Sequence, residues 1–241
     1  MLQDWTLSYG PITIGDAEAL PAVNFTNLDV MSMPEVRTND ITLIQRDGYW
    51  AGDDYMGGRT VALSLEVQGK DSDEFNEAVN LIMRAFSPGV SGESPLTFKI
   101  PGVANGREAY VNVRTRRRSA PLDARFGRLY CAFEIELFAT DPLIYATEET
   151  AVTIRNGTPS GPLARVLVEG SRTAETTIDF TGVTNPRIEN AFTGVGTTYT
   201  GTGTFTTAGP KYIPGERFLV LKDSGTPKTG TAVVKWRDTW V

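Results

Sequence analysis

Catalysis in this chain would have to rest on carboxylates, because the sequence contains no histidine. This absence excludes Ser-His-Asp and Cys-His catalysis, histidine-ligated zinc and the usual general base. The most visible acidic pair is Asp53-Asp54, within the Gly- and Asp-rich segment 48–58. Asp and Gly are typical turn residues, and adjacent loop residues rarely direct both carboxylates at one substrate bond. We therefore interpret the pair as part of a turn and expect no catalytic residues.

The other residue types that support chemistry predict no cofactor and no metal. The glycine-rich segments at Gly57-Gly58 and Gly201-Thr-Gly-Thr lack the Lys-Ser/Thr pair and the following helix of a phosphate-binding loop. The single cysteine, Cys131, excludes an internal disulfide. Because it lies in an alternating apolar run, we interpret it as a small core residue rather than a nucleophile.

An arginine cluster is the strongest basic feature of the sequence. It comprises Arg114, Arg116, Arg117 and Arg118, with Arg125 and Arg128 close behind. One interpretation is a contact with phosphate or nucleic acid. The interpretation we favour is a contact with acidic groups of a neighbouring domain or subunit, because no aromatic residues are interleaved to stack on bases.

Net charge and hydropathy argue against general binding to nucleic acid or membrane. The 23 basic and 29 acidic residues give a formal charge of −6, which disfavours nucleic acid and anionic lipid. No stretch approaches the ~18 apolar residues of a membrane span. The start Met1-Leu-Gln-Asp-Trp5 lacks the basic character of a signal peptide, so we expect a soluble protein that is not exported.

The elements that would position these residues centre on a strand that runs into a helix. Residues 59–68 alternate between apolar and polar, which is the period of a strand with one buried face. Gly69 interrupts the run, and Asp71 followed by Glu74 is typical of a helix N-terminus. Apolar residues then recur at spacings of three and four, which predicts an amphipathic helix closed by residues 87–89. Its buried face is expected to comprise Phe75, Val79, Ile82, Met83 and Phe86.

The remaining elements are predicted to be strands, in two domains that we place at 1–147 and 148–241. In the first domain, alternating runs between Gly, Pro and Asp turns predict strands near 5–9, 12–14, 23–25, 41–44, 96–100, 109–114 and 126–140. Beyond residue 147 the helical periodicity ends and Gly and Thr become frequent, which favours an all-β second domain. Its strands are predicted near 152–154, 164–168, 176–180, 199–206, 218–221 and 232–236. The segment 147–161, which leads into this domain, is expected to be an accessible junction.

The order of several segments resembles one protein family. These segments are Gly57 to Gly69 with the following helix, Pro95-Leu-Thr-Phe98, the arginine cluster, Phe138 to Tyr145 and Trp236-Arg-Asp-Thr-Trp240. Together they resemble the distal tail proteins of long-tailed bacteriophages, especially those of actinobacterial hosts, over nearly the whole chain. The resemblance implies a mainly β fold: an N-terminal tail-tube-like β-sandwich or barrel with one α-helix, and a C-terminal galectin-like β-sandwich.

The resemblance also implies a function. Such a chain is a structural virion protein at the distal end of the phage tail, assembled in the host cytoplasm. It forms a homo-hexameric ring that joins the tail tube protein to the tail-tip or baseplate hub protein, with receptor-binding proteins as further partners. Genome DNA passes through the lumen without sequence-specific binding. A closed ring would also pair strand edges that the first domain leaves open, and the arginine cluster could meet acidic groups of the next subunit.

Two other classes of function stay open from the residues. A carbohydrate-binding adhesion module could use Trp236, Trp240, Tyr199 and Tyr212 to stack on sugar rings. Trp236 ends an alternating strand, however, where a core position is the more common interpretation. A carboxylate-dependent cell-wall hydrolase would need paired acids in a cleft, and the sequence indicates no such pair.

Overall fold

The computed structural model describes residues 1–16, 23–88, 92–156, 163–224 and 230–241. These residues are mainly β, as predicted, with one α-helix and two short 3₁₀ helices, Ala104–Gly106 and Phe126–Arg128. They divide into a first unit, Met1–Ile144 with Val241, and a second unit, Tyr145–Trp240.

The first unit contains strands β1 to β11 and the helix. Their bounds are β1 (Thr6–Tyr9), β2 (Ile12–Ile14), β3 (Val23–Asp29), β4 (Val36–Arg37), β5 (Ile41–Thr42), β6 (Tyr49–Trp50), β7 (Tyr55–Met56), β8 (Arg59–Gln68), α1 (Ser72–Ala85), β9 (Ser94–Lys99), β10 (Ala109–Ser119) and β11 (Tyr130–Ala139). Seven of the strands follow the order β2-β1-β9-β10-β11-β8-β3. The Gly15 N–H donates to the Val23 carbonyl at 2.8 Å, which links the two end strands and shows that the sheet curls.

The core of the first unit lies between the inner face of this sheet and the helix. On β8 and β11, Leu63 faces Ile135 and Leu65 faces Phe133, and all of these side chains are buried. This is the alternation that the sequence predicted for residues 59–68.

Helix α1 begins as its sequence predicts, but its buried face differs. The Asp71 carboxylate accepts from the Glu74 N–H at 2.9 Å. The fully buried positions are Phe75, Ala78, Ile82 and, just beyond the helix, Phe86. Val79 is only partly buried, and the prediction for Met83 is wrong because its side chain is 43% exposed. Met83 lies one residue past Ile82, which turns its side chain about 100° away from the buried stripe.

The long strand predicted at 126–140 is shorter in the structure. Phe126–Arg128 form a 3₁₀ turn, and Leu129 has a φ of 61°, in the left-handed region, so the strand begins at Tyr130. Phe126 instead places its ring edge against Phe75, with 5.0 Å between ring centroids. The turn therefore places Phe126 against helix α1. The alternation of apolar residues along 126–140 did not indicate this turn.

The second unit contains two four-stranded antiparallel sheets, β13-β20-β15-β18 and β14-β19-β16-β17. The bounds are β12 (Ile144–Ala146), β13 (Thr150–Arg155), β14 (Ala164–Val168), β15 (Thr176–Thr184), β16 (Arg187–Asn190), β17 (Gly196–Thr198), β18 (Thr202–Ala208), β19 (Gly215–Lys222), β20 (Thr231–Trp236) and β21 (Thr239–Trp240). Phe180 and Trp236 from one sheet share a buried core with Val166, Ile188 and Leu219 from the other.

The predicted junction at 147–161 is only partly a connection. Residues 150–155 pair with β20 along their whole length as strand β13. Thr147 to Glu149 are exposed, as a connecting segment requires. Residues 157–161, the rest of the predicted loop, lie outside the described residues.

Candidate assembly surface

A β-bulge at Arg116 decides where each arginine of the cluster points. Thr115 pairs with Leu137 on β11, whereas Arg117 pairs with Glu136, so Arg116 is an extra residue on β10. A bulge of one residue reverses the alternation of side chains beyond it. Arg117 therefore faces outward with Glu136, and the next residue, Arg118, turns towards the buried face of the sheet.

Arg118 contacts the C-terminal end of helix α1. Its pairing partner on β11, Ile135, has a buried side chain. The Arg118 Nη1 donates to the carbonyls of Met83 at 2.7 Å and Phe86 at 3.1 Å. A cation at this end of a helix satisfies free carbonyls and complements the helix dipole. The structure thus separates Arg118 from the outward-facing members of the cluster.

Two of the outward-facing arginines, Arg114 and Arg116, lie over the ring of Phe138. The guanidinium carbons of Arg116 and Arg114 lie 4.8 Å and 5.9 Å from the ring centroid of Phe138. The Arg114 Nε is buried and has no hydrogen-bond partner among the described residues. We call the set Arg114, Arg116, Arg117 and Phe138 the arginine face. Among the described residues, no ion pair joins the arginines of this face to a carboxylate.

Residues 31–56, which we call the arm, form a hairpin that leaves the sheet between β3 and β8. Val36 pairs with Met56 at its base, and Ile41 pairs with Trp50 farther along. Most of its side chains are exposed, and Ile44 reaches 96% exposure. The exposed large apolar residues of the arm are Met31, Met33, Ile41, Ile44, Tyr49, Trp50 and Tyr55.

Hydrogen bonds stabilise the hairpin of the arm and attach its base to the rest of the first unit. The Asp40 carboxylate accepts from the Gly52 N–H at 2.9 Å, across the hairpin. A side chain at Gly52 would place its Cβ 2.3 Å from the Asn39 carbonyl oxygen, so this crossing requires glycine. At the base, the buried Arg59 donates to the carbonyls of Val30 and Ser32.

The acidic pair Asp53-Asp54 lies on the arm. It occupies the connection between β6 and β7, and both residues are exposed. Cys131 is buried, and desolvation raises the pKa of its thiol, which makes the reactive thiolate less available at neutral pH. No group of residues that could hold a metal ion occurs in the described part of the chain.

Two of the four aromatic residues considered for sugar stacking lie in the interior of the second unit, and the other two, Tyr199 and Trp240, are half-buried. Trp236 is 2% exposed and Tyr212 is 9% exposed, which confirms the core interpretation of Trp236. Burial raises the pKa of Tyr212 to about 12. Its ring is also covered by the Arg217 guanidinium, 4.5 Å from the ring centroid. A sugar ring could stack on Trp236 or Tyr212 only if the side chains that cover these rings moved away.

No helix within the described ranges has the length and apolar character needed to cross a membrane.

Comparison with known proteins gives matches in structure only. No family model matches the sequence, and neither does any curated protein. The crystal structure of the Dit protein of phage SPP1, called a paradigm of the hub adsorption apparatus of phages that infect Gram-positive bacteria, superposes with a TM-score of 0.65 at 12% identity. The superposition covers 98% of this chain and 99% of that chain. A chain in the activated baseplate of phage P2 with calcium reaches a TM-score of 0.49 at 8% identity, over 94% of this chain and 93% of that one. At the level of the fold, the resemblance to phage distal tail proteins is confirmed.

Proposed function

We propose that this chain is a structural virion protein, a distal tail protein that forms a homo-hexameric ring between the tail tube and the tail tip or baseplate. The observation that carries the proposal is the superposition on the SPP1 Dit protein, with a TM-score of 0.65 over 98% of this chain. Because that match includes both units, it favours a role for the whole architecture. Fold alone does not give function, so the proposal rests on the assembly surfaces as well.

The arginine face is the proposed contact with the next subunit. A ring of identical subunits needs a heterologous contact, in which one surface of each subunit meets a different surface of the next. Arg114, Arg116 and Arg117 supply a basic surface for this purpose. Six copies would carry 6 × −6 = −36 formal charges, so acidic surface is ample both for that contact and for a channel that does not retain DNA.

The proposed arrangement assigns a role to each domain. Domain 1–147 forms the ring and meets the tail tube protein and the tail-tip hub protein. Domain 148–241 is a galectin-like sandwich that carries receptor-binding proteins or other baseplate parts. Limited proteolysis of the full chain tests the boundary, because cleavage is expected at the exposed residues Thr147 to Glu149. First cuts within β9, β10 or β11 would place the boundary elsewhere.

Cryo-electron microscopy of the intact particle tests the function. Six copies around the tail axis, between the tube and the tip, are expected at the distal end of the virion. Another copy number or another location would overturn the proposal. Glycan-array binding of the full chain tests the carbohydrate-binding alternative, which the burial of Trp236 and Tyr212 already disfavours.

A further inference from the structure

We infer that the arm of one copy docks on the arginine face of the neighbouring copy, so that each subunit of the ring holds the next. This inference rests on the proposed hexameric ring and names the surfaces that would meet in it. Both surfaces belong to the first unit.

The arm is a two-stranded hairpin that exposes most of its side chains, so a partner surface would stabilise it. Two-stranded hairpins are marginal unless a third strand or another surface covers one side. Here Ile41 faces Trp50 and Thr42 faces Tyr49 in the outer ladder, yet all four side chains are exposed. A group of exposed apolar side chains on one projecting segment is typical of an interaction surface.

The charge of the arm identifies the kind of surface it fits. Its acidic residues are Glu35, Asp40, Asp47, Asp53 and Asp54, and its basic residues are Arg37 and Arg46. The arm therefore carries 2 − 5 = −3 formal charges. The arginine face carries three cations, none in an ion pair among the described residues. With the exposed Glu136, which pairs with Arg117 across the strands, the formal charge is 3 − 1 = +2, so the surface stays basic. Complementary charge of this kind selects the partner and fixes the orientation of docking.

The chemistry of the two surfaces matches beyond charge. Phe138 already holds two guanidinium groups at its ring, and planar guanidinium groups also stack on other aromatic side chains. Tyr49 and Trp50 on the arm offer such rings, at 69% and 71% exposure.

A second copy of this chain is the occupant we select, because both surfaces occur once in every subunit. In a closed ring each arm binds the arginine face of the next subunit, so every arm and every arginine face is occupied. The arm cannot be assigned to the face of its own chain, since its side chains are exposed in the structure of the single chain.

Charge reversal in mixed chains tests the inference. The arm variant is Asp53→Lys with Asp54→Lys, and the face variant is Arg116→Glu with Arg117→Glu. Each variant alone should associate at least about tenfold more weakly than the wild type, measured by sedimentation velocity, because like charges then meet at every contact. An equimolar mixture should recover association, since alternating subunits restore opposite charges at every contact. The matched control, Glu148→Lys with Glu149→Lys, reverses an exposed acidic pair outside the arm and should associate like the wild type.

The outcomes separate this inference from the proposed function. Loss of association in both variants without recovery in the mixture would overturn the inference, and so would variants that associate as the wild type does. Circular dichroism of each variant identifies any misfolded chain, and the milder Asp53→Asn and Arg116→Gln variants then replace it. The particle map decides the case even if the free chain stays monomeric. A six-fold ring whose arms contact a different protein would overturn the inference and leave the function standing, whereas a particle without that ring would overturn the function.

Discussion

Arg59 and Pro142 are joined by a hydrogen bond of 2.7 Å, from the guanidinium Nε to the carbonyl, although 83 residues separate them in sequence. The same guanidinium donates through Nη1 to the carbonyls of Val30 and Ser32. The side chain is 1% exposed, and burial lowers its pKa while the charge of Asp29 opposes that shift. Arg59 thus ties the start of the arm to the segment that follows β11.

Replacing Arg59 with methionine should destabilise the first unit. Arg59→Met keeps much of the side-chain volume but leaves three carbonyls without their donor. We expect the free energy of unfolding to fall by roughly 2–4 kcal/mol, measured by urea denaturation. Arg59→Lys should recover only part of this loss, because an ammonium lacks the planar fork of guanidinium donors. A methionine variant as stable as the wild type would show that these bonds contribute nothing.

The two faces of helix α1 should differ sharply in their tolerance of charge. Phe75 is 3% exposed, and its ring meets Phe126. Phe75→Asp should therefore cost several kcal/mol, through lost burial and an unpaired buried charge. Met83→Asp is the matched control on the exposed side and should change the free energy of unfolding by no more than about 1 kcal/mol. Equal losses of thermal stability would contradict the helix orientation described above.

The bulge predicts opposite behaviour for two adjacent arginines. Arg118→Ala removes the donor to the Met83 and Phe86 carbonyls and should lower the stability of the free chain by about 1–2 kcal/mol. Arg117→Ala removes an outward-facing side chain and should leave that stability nearly unchanged. Thermal melting of both variants under one condition gives the comparison. The reverse order of stability would mean that the alternation along β10 is not reversed at Arg116.

The elements that the sequence predicted well depend on local periodicity. The alternation along β8 and the spacing of Phe75, Ile82 and Phe86 arise because each element buries one side. Residues close together in sequence are therefore enough to predict both elements. Met83 was misplaced because a spacing of four from Val79 also fits a helical stripe, and the sequence does not show where the stripe ends. The edge contact of Phe126 with Phe75 was likewise invisible in the apolar pattern.

The candidate site was less predictable because it depends on contacts between distant segments. The arginine cluster appeared in the sequence as one basic run, but an extra residue in β10 divides it between two faces. A bulge is set by pairing with β11, which residues 114–118 alone do not encode. Arg59 resembled an ordinary polar residue at the start of a strand, since its acceptors come from segments far away in sequence. The sequence predicted a turn within residues 48–58 and a strand near 41–44, but it did not show that these segments pair as an exposed hairpin.

The last prediction concerns the acid stability of the second unit. Glu189 is 8% exposed, and its carboxylate accepts from the Arg187 Nε at 3.0 Å and pairs with the Lys222 ammonium. The hydrogen bond from Lys222 is the main cause that lowers the pKa of Glu189, with burial opposing it and Arg187 adding to it. In the unfolded chain a glutamate has a pKa of about 4.3.

The direction of the pH effect follows from the lower pKa of Glu189 in the folded chain than in the unfolded chain. Below about 4.3 the unfolded chain binds a proton at Glu189 before the folded chain does, so the contribution to stability is present above this pH and is lost as pH falls through the folded pKa. Lys222→Met should therefore flatten the decline of Tm on the acid side of about pH 5. In a Glu189→Gln background the same lysine replacement should have no further effect on that slope. If it flattens the slope equally in both backgrounds, Lys222 acts through another carboxylate, and the ion pair with Glu189 is not the cause.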